Sequence, residues 1–200
     1  MKSFPGEPGG FALPFADLTS HGFVAHQLLL YTHLGTHVDA PLHFLPGGQG
    51  VEAWPLSQLC GPAMVVRARP ASPERPLGME DFDWPRPPRE GDRVLLDTGW
   101  AARWGQEGYF RAFPSLGRDL CQTLATSRIA LLGMDLPTPS ETDGPAVHEI
   151  LLASRVAVVE GLLHLREIPG SYGELLCLPL PLHGLDGAPC RAAFRPQEVE

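Results

Sequence analysis

The sequence predicts a mixed α/β fold made of many short elements, and three observations support this. Short apolar runs bounded by turn-forming or charged residues suit buried strands, and two other segments carry the apolar spacing of helices. The chain contains 22 glycines and 22 prolines, which disfavours long helices. Its 200 residues suit one domain, so we treat residues 1–200 as a single domain.

Five segments are predicted as strands because each is a short apolar run that ends at a turn-forming or charged residue. They are 26–33 (HQLLLYTH), 63–68 (AMVVRA), 93–100 (RVLLDTGW), 128–135 (RIALLGMD) and 156–163 (VAVVEGLL). Residues 69–92 contain six prolines and many charges, and are the most loop-like stretch of the chain. We expect a short element near 78–83, and the stretch could separate two halves of the domain.

Two segments are predicted as helices. Residues 115–126 carry three leucines at intervals of four, and Ser115 is a candidate N-cap. Residues 145–154 open on Pro145, which suits the first position of a helix. Each helix leads directly into a predicted strand, as expected for a mixed α/β fold.

Charge and hydropathy exclude several classes of function. The formal net charge is −8 and the pI is about 5.4, which argues against a nucleic-acid partner. No polybasic run suggests a membrane surface, and no apolar run reaches the ~18 to 20 residues of a spanning helix. The N-terminal stretch MKSFPGEPGG lacks the apolar segment of a signal peptide. We therefore expect a cytoplasmic protein.

The four cysteines are far apart and form no CxxC pair: Cys60, Cys121, Cys177 and Cys190. This spacing excludes the common zinc-ribbon patterns and gives no disulfide framework. We expect four free, buried thiols in a reducing compartment.

Three histidines and an aspartate are crowded into eleven residues, in a chain with eight histidines in all: His33, His37, Asp39 and His43. All four occupy odd positions, so in an extended chain they share one face. The apolar residues between them would point the other way and pack: Val38, Ala40, Leu42 and Phe44.

A straight strand cannot bring His33 and His37 to one metal ion, because residues four apart in a strand are separated by about 13 Å. Gly35 permits the chain to curl between them. A helix is the poorer choice here, since the segment contains Gly35, Pro41 and several β-branched residues.

Neutral imidazoles and carboxylates are good ligands for Zn²⁺ and Mn²⁺. One alternative is a group of unrelated surface histidines beside a turn aspartate, and another is a structural metal site. Structural zinc sites favour cysteine and four protein ligands, whereas no cysteine lies near this segment. Ligands limited to His, Asp and Glu leave coordination positions open, as catalytic sites do.

The segment HLGTHVDAPLH, residues 33–43, resembles the HxGTHxDxPxH signature of the cyclase family of metal-dependent hydrolases, which includes kynurenine formamidases and isatin hydrolases. Five further segments resemble family blocks in the family's order: 55–66, 91–105, 128–140, 147–165 and 178–192. The resemblance implies the swivelling β/β/α fold, with a mixed sheet, a small barrel-like β region and few helices.

The resemblance also implies roles for individual residues. Five would bind metal: His33, His37, Asp39, His148 and Glu160, the last two standing twelve residues apart as the family's second pair does. His43, at the end of the signature, would be the general acid/base. We expect His148 and Glu160 to lie within about 5 Å of the other ligands, given metal–ligand bonds near 2.1 Å.

Other positions match less specifically. Phe4 stands where kynurenine formamidases carry a tryptophan that contacts substrate, so it is a candidate substrate-binding residue. Family members usually have an additional stretch before this point, so a first strand is either missing or replaced by another element. For Asp135 and Ser140, a structural role in a turn and a catalytic role are both open. The remaining histidines are interpreted as structural or surface residues: His21, His26, His164 and His183.

The function implied is metal-dependent hydrolysis of a C–N amide bond, in an aryl formamide such as N-formylkynurenine or in a cyclic amide. One or two Zn²⁺ or Mn²⁺ ions per subunit, a small-molecule substrate and a homodimer or homotetramer are implied with it. The alternatives are a non-catalytic metal- or ligand-binding protein of the same fold and a biosynthetic cyclase. A pure binding site has no need of His43, which argues against the first.

Overall fold

The computed structural model describes residues 4–69 and 75–197. Within them lie ten strands and four α-helices. The strands are β1 (Phe11–Ala16), β2 (Ala25–Leu29), β3 (His37–Asp39), β4 (Cys60–Ala68), β5 (Phe82–Asp83), β6 (Arg93–Asp97), β7 (Leu131–Met134), β8 (Ala157–Glu160), β9 (Tyr172–Pro179) and β10 (Gly187–Pro196). The helices are α1 (Leu18–His21), α2 (Leu56–Leu59), α3 (Arg118–Thr126) and α4 (Gly144–Ala153).

Eight strands form one mixed sheet in the order β5-β4-β6-β7-β8-β3-β10-β9, and β9 also pairs with β4. This extra pairing closes seven of the strands into a barrel. Strands β4, β6, β7 and β8 run parallel, while the remaining pairs are antiparallel. Helix α3 precedes β7 and α4 precedes β8, as in α/β crossovers. The predicted mixed α/β fold with a barrel-like region and few helices is confirmed.

The four parallel strands are the ones that the apolar runs predicted. Their side chains are almost wholly buried because the barrel interior covers one face and helices or loops cover the other. Several ends were placed wrongly. Strand β4 begins at Cys60 rather than at residue 63, and β8 ends at Glu160 rather than at residue 163. Strand β6 stops at Asp97, since Gly99 turns the chain with a φ of 80°. Strand β7 begins at Leu131 rather than at residue 128, because Arg128 has a φ of 52°.

Both predicted helices form, with different starts. Helix α3 begins at Arg118 behind Gly117, and Ser115 is not its cap. The Ser115 Oγ instead accepts a hydrogen bond from the Glu141 N–H, 3.1 Å away. Helix α4 begins at Gly144, so Pro145 occupies its second position. No helix of the described residues is long and apolar enough to cross a membrane.

The predicted strand 26–33 is only partly correct. It corresponds to β2, which ends at Leu29 and pairs with β1 in a separate two-stranded sheet, not with the barrel. Sequence analysis missed β1 together with β9 and β10, which close the barrel. The short element expected near 78–83 is a 3₁₀ turn, Met79–Asp81, followed by β5. The loop before it does not divide the molecule, since β4 and β6 on its two sides are hydrogen-bonded neighbours. Its residues 70–74 lie outside the described residues.

All four cysteines are free thiols. Cys121 and Cys177 are buried as expected, but Cys60 and Cys190 are only partly buried. Cys60 is the first residue of β4 and Cys190 is the fourth residue of β10, and both lie at the edge of the core. The sulfur atoms of Cys177 and Cys190 lie 3.7 Å apart between β9 and β10.

Candidate active site

A three-residue strand and the turns on its two sides gather the crowded histidines. Strand β3 lies between β8 and β10, with His37 opposite Glu160 and Asp39 opposite Gly187. Gly35 has a φ of 69° and turns the chain, so the Nδ1 atom of His33 lies 2.9 Å from Asp39 Oδ1. The curl between His33 and His37 therefore occurs at the predicted residue.

The predicted alternation, with the histidines and Asp39 on one face and packed apolar residues on the other, is correct only as far as Ala40. Val38 and Ala40 are fully buried, but Leu42 is 38% exposed. The ring of Phe44 stacks on His148 with centroids 4.4 Å apart and lines a cavity. The reason is that a 3₁₀ turn over Pro41–His43 replaces the strand. This turn carries His43 back over the ring of His33.

Helix α4 and the end of β8 bring the second pair of predicted ligands to the first group. The Nε2 atom of His148 lies 3.0 Å from Glu160 Oε1 and 3.4 Å from Asp39 Oδ2. The Nε2 atom of His37 lies 3.3 Å from a Glu160 oxygen. The structure thus brings all five predicted ligands together, within the expected distance.

The cluster suits a divalent cation. The Nδ1 atoms of His37 and His148 donate to the carbonyl oxygens of Gly35 and Gly144, 2.9 and 2.7 Å away, so each Nε2 faces the carboxylates. Among buried side-chain atoms of the described residues, His37 Nε2 and Asp39 Oδ2 have no hydrogen-bond partner. Such atoms are costly unless a ligand satisfies them.

Among the described residues, three groups of side chains have potential ligand atoms within 4.8 Å of one another, and one of them is His33, His43 and Asp186. The other two are the predicted ligand sets: His33, His37 and Asp39 form one, and Asp39, His148 and Glu160 form the other. Asp39 belongs to both sets, so it stands where it can bridge two ions or complete a single site. Imidazole nitrogens and carboxylate oxygens are the ligands that Zn²⁺ and Mn²⁺ accept.

The charges in the cluster stabilise one another. Burial opposes protonation of His148, but Asp39 and Glu160 outweigh it and raise the pKa of His148 to about 10. The same carboxylates raise the pKa of His37 well above its usual value, although burial again opposes the shift. Burial also opposes ionisation of Asp39 and Glu160, yet the histidines hold both carboxyl pKa values below normal. In the metal-free protein, protons on these imidazoles would stand near the carboxylates, where a cation would bind.

His43 differs from the ligand histidines. Its ring stacks on that of His33, with centroids 3.9 Å apart and an interplanar angle of 27°. Burial lowers the pKa of His43, the rings of His33 and His148 lower it further, and nearby carboxylates offset only part of the effect. His43 is therefore neutral near pH 7 and borders the cavity, as a general base requires.

A cavity of about 310 Å³ opens beside the cluster and is rich in aromatic side chains. Phe4 is one of them, and its ring packs edge-on against Phe110 with centroids 5.5 Å apart. The cavity is also lined by Phe44, Trp104 and Tyr109. Its walls suit a flat apolar ligand.

Several residues of the site were missed by sequence analysis. Asp186 is the nearest to the histidines, with Oδ2 2.9 Å from His33 Nε2 and 3.4 Å from His43 Nδ1. Glu7 lines the cavity, accepts a hydrogen bond from the Tyr31 hydroxyl at 3.3 Å, and has a pKa raised by burial. Asp186 stands within a segment of family resemblance, and its position before a glycine at a strand start was the available signal.

The two weaker candidates both form hydrogen bonds to backbone N–H groups of nearby loops. Asp135 is buried and accepts hydrogen bonds from the Thr98 N–H, the Thr98 hydroxyl and the Ala101 N–H. Ser140 lines the cavity, and its hydroxyl oxygen accepts from the Asp143 N–H. The four remaining histidines are exposed, as expected: His21, His26, His164 and His183.

Comparison with known proteins fits this geometry. The Cyclase family model matches residues 3–140. The chain belongs to the Cyclase family. A kynurenine formamidase of Salinibacter ruber (strain DSM 13855 / M31) is 37% identical over 173 residues, which is 84% of this chain and 78% of that protein.

Solved structures of this family share the fold. The structure of a potential metal-dependent hydrolase with cyclase activity matches with a TM-score of 0.77 and 26% identity, covering 94% of this chain and 88% of that one. An isatin hydrolase bound to the product analogue thioisatinate matches with a TM-score of 0.79 and 22% identity, covering 95% and 83%. Together with the His/Asp/Glu cluster, these relationships make this Cyclase family member a metal-dependent hydrolase.

Proposed function

We propose that the protein hydrolyses the C–N bond of an aryl formamide or a cyclic aryl amide. The observation that carries this proposal is the position of His43, a histidine whose pKa is lowered by burial, between a buried His/Asp/Glu cluster and an aromatic cavity. The names of the relatives support the substrate class, since kynurenine formamidase and isatin hydrolase both denote cleavage of aryl amides.

The chemistry follows from the positions of the side chains. The five ligand residues would hold one or two divalent ions, Zn²⁺ or Mn²⁺. When bound, such an ion lowers the pKa of water and polarises a carbonyl group. His43 takes a proton from the attacking water and returns it to the leaving nitrogen, so that amide and water become acid and amine. The aromatic walls, including Phe4, hold the aryl ring and limit access of other water.

The experiment is a hydrolysis assay on metal-stripped protein, before and after addition of Zn²⁺ or Mn²⁺, with N-formylkynurenine and isatin as substrates. We expect activity on at least one substrate only after metal is added. His37→Ala should remove most bound metal and nearly all activity, because it takes a ligand from the shared cluster. An active metal-stripped enzyme, or full metal binding by His37→Ala, would show the metal assignment to be wrong.

We also propose that the chain forms a homo-oligomer through its β1–β2 hairpin. Both strands expose large apolar side chains, and Phe15 is 72% exposed. Others in or beside the hairpin are Phe11, Leu13, Phe23, Val24, Leu28 and Leu29, each more than half exposed. A two-stranded hairpin uncovered on both faces is marginally stable in water, so a second copy of the hairpin is a fitting cover.

Light scattering coupled to size-exclusion chromatography tests this. The wild type should elute as a dimer or tetramer, and the double variant Leu13→Ser/Phe15→Ser should shift to monomer. Leu56→Ser, at an exposed leucine of α2, is the matched control and should leave the assembly unchanged. A monomeric wild type would contradict the proposal.

A cytoplasmic location is proposed on the basis of the four free thiols, since reducing compartments keep cysteines unpaired. Fractionation of cells that produce the protein should recover it with cytoplasmic markers. Recovery in an oxidising compartment with paired cysteines would contradict this.

A further inference from the structure

The second ring nitrogen of each ligand histidine has its own partner. For His37 and His148 the partner is a main-chain carbonyl oxygen, which accepts from Nδ1 and leaves Nε2 for the cluster. For His33 the arrangement is reversed: Nδ1 faces Asp39 and Nε2 lies 2.9 Å from Asp186 Oδ2. Outer partners of this kind fix the tautomer and raise the basicity of a metal ligand.

We propose that Asp186 is a positioning residue, which holds the Nε2–H tautomer of His33 and orients the ring of His43 for proton transfer. The proposal rests on the metal-dependent function above and adds to it a residue outside the five ligands. Unlike the carbonyl partners of the other two rings, this partner is a side chain, so substitution can remove it.

The backbone of Asp186 is tied to the strand that carries the ligands. Its carbonyl oxygen accepts a hydrogen bond from the Ala40 N–H at 2.9 Å, and the next residue, Gly187, pairs with Asp39. A Cβ atom on Gly187 would lie 2.8 Å from the His33 ring, so the glycine makes room for that ring. Asp186 is thus held in register with the cluster by main-chain contacts, independently of its own side chain.

One oxygen of the Asp186 carboxylate lies close to the rings of both His33 and His43. Asp186 Oδ2 lies 2.9 Å from His33 Nε2 and 3.4 Å from His43 Nδ1, and the two rings are stacked. With Nδ1 of His43 directed at Asp186, its Nε2 is the atom left to exchange a proton with water and the leaving nitrogen. The Asp186 side chain is 36% exposed, so its removal should not open a cavity in the core.

The test uses Asp186→Ala and Asp186→Asn, with Asp119→Asn in the exposed part of α3 as the control. Calorimetric titration of the metal-stripped proteins with Zn²⁺ should give about 10- to 100-fold weaker binding for Asp186→Ala, at unchanged stoichiometry, and a smaller loss for Asp186→Asn. The amide oxygen of the asparagine can still accept from Nε2–H, which makes it the conservative variant. Circular dichroism should show all three variants folded.

Two further measurements separate positioning from a structural role. Histidine-selective ¹⁵N NMR of the Zn²⁺-loaded proteins should show the Nε2–H form of His33 in the wild type and a mixture of tautomers in Asp186→Ala. At saturating metal, Asp186→Ala should lose turnover with little change in KM, because His43 is misoriented while the substrate walls are intact.

Unchanged Zn²⁺ affinity in Asp186→Ala would overturn the proposal. Loss of one equivalent of metal would also overturn it, since Asp186 would then be a ligand of the set His33, His43 and Asp186. These outcomes are distinct from failure of the proposed function, which would appear as a wild type that binds no Zn²⁺ or cleaves neither substrate.

Discussion

At the scale of single residues, the histidines of the site differ in what surrounds their rings. His37 and His148 lie between a carbonyl oxygen on one side and carboxylates on the other, which favours protons or a cation at Nε2. His43 is stacked on another histidine, and its pKa is lowered by burial and by neighbouring rings. Histidines of one site thus differ in their chemistry because their surroundings differ.

This difference predicts the behaviour of His43→Ala. The variant should keep its bound metal, because His43 belongs to neither donor set that includes Asp39. Its turnover should fall by ~10²- to 10⁴-fold, the usual contribution of a positioned acid/base. Metal content by mass spectrometry and steady-state kinetics on the preferred substrate are the measurements.

His183→Ala is the control for this variant, since the His183 side chain is exposed and its Nδ1 atom lies 3.2 Å from Glu52 Oε1, away from the site. It should retain full activity. Loss of metal from His43→Ala would make His43 a ligand, and undiminished turnover would mean that another group moves the proton.

At the scale of elements, β3 and β8 approach so closely that one turn residue must be glycine. Gly161 follows Glu160 with a φ of 64°, and a Cβ there would lie 2.9 Å from the Gly35 carbonyl oxygen. The Thr36 hydroxyl also donates to the Gly161 carbonyl oxygen at 2.7 Å. The turn after β8 therefore packs against the turn that precedes β3 and is hydrogen-bonded to it.

Gly161→Ala should destabilise the protein more than Gly91→Ala does. Both positions have a positive φ, which costs an alanine about 1–2 kcal/mol, but a Cβ at Gly91 meets nothing within 4 Å. The difference between the two unfolding free energies, measured by urea denaturation, therefore reports the close contact. Zn²⁺ affinity should fall only in Gly161→Ala, since Glu160 is adjacent. Equal losses of stability would show that the contact relaxes freely.

Sequence analysis found the elements whose residue pattern has one clear structural interpretation. The four parallel strands are continuous apolar runs because both faces are buried. Strands β9 and β10 alternate between more and less exposed residues and contain prolines, so their signal is weak. Spacing located the local ligands, and the family resemblance added His148 and Glu160. Asp186 stands 153 positions from His33, and no local pattern can link residues at that separation.

At the scale of the whole molecule, the barrel brings together parts of the chain that are distant in sequence. The site draws on β3, α4, β8 and the residue before β10, so it exists only when the barrel is closed. Its buried charges therefore couple folding, proton binding and metal binding. Protons and a cation compete for the same nitrogen atoms, because ligand histidines must be neutral to bind metal.

The last prediction concerns the pH dependence of stability in the metal-free protein. The folded-state pKa of His148 is raised to about 10 from a usual value of 6.5, mainly because two carboxylates overcome the effect of burial. A raised pKa stabilises the folded state fully below pH 6.5, and the contribution is lost as the pH rises towards 10. The lowered pKa values of Asp39 and Glu160 act in the opposite direction, so their contribution is lost in acid, below the usual values of 3.8 and 4.5.

The melting temperature of the metal-free protein should therefore fall between pH 6.5 and 10. The melting temperature of the Zn²⁺-loaded protein should fall less, because the cation replaces the lost protons. Scanning calorimetry of both forms across this range is the measurement, with metal-free His148→Gln as the control that should lose much of the slope. A metal-free melting temperature that stays level to pH 10 would contradict this prediction, because it would mean that His148 is neutral in the folded protein and that its ion pairs with Asp39 and Glu160 do not stabilise the fold.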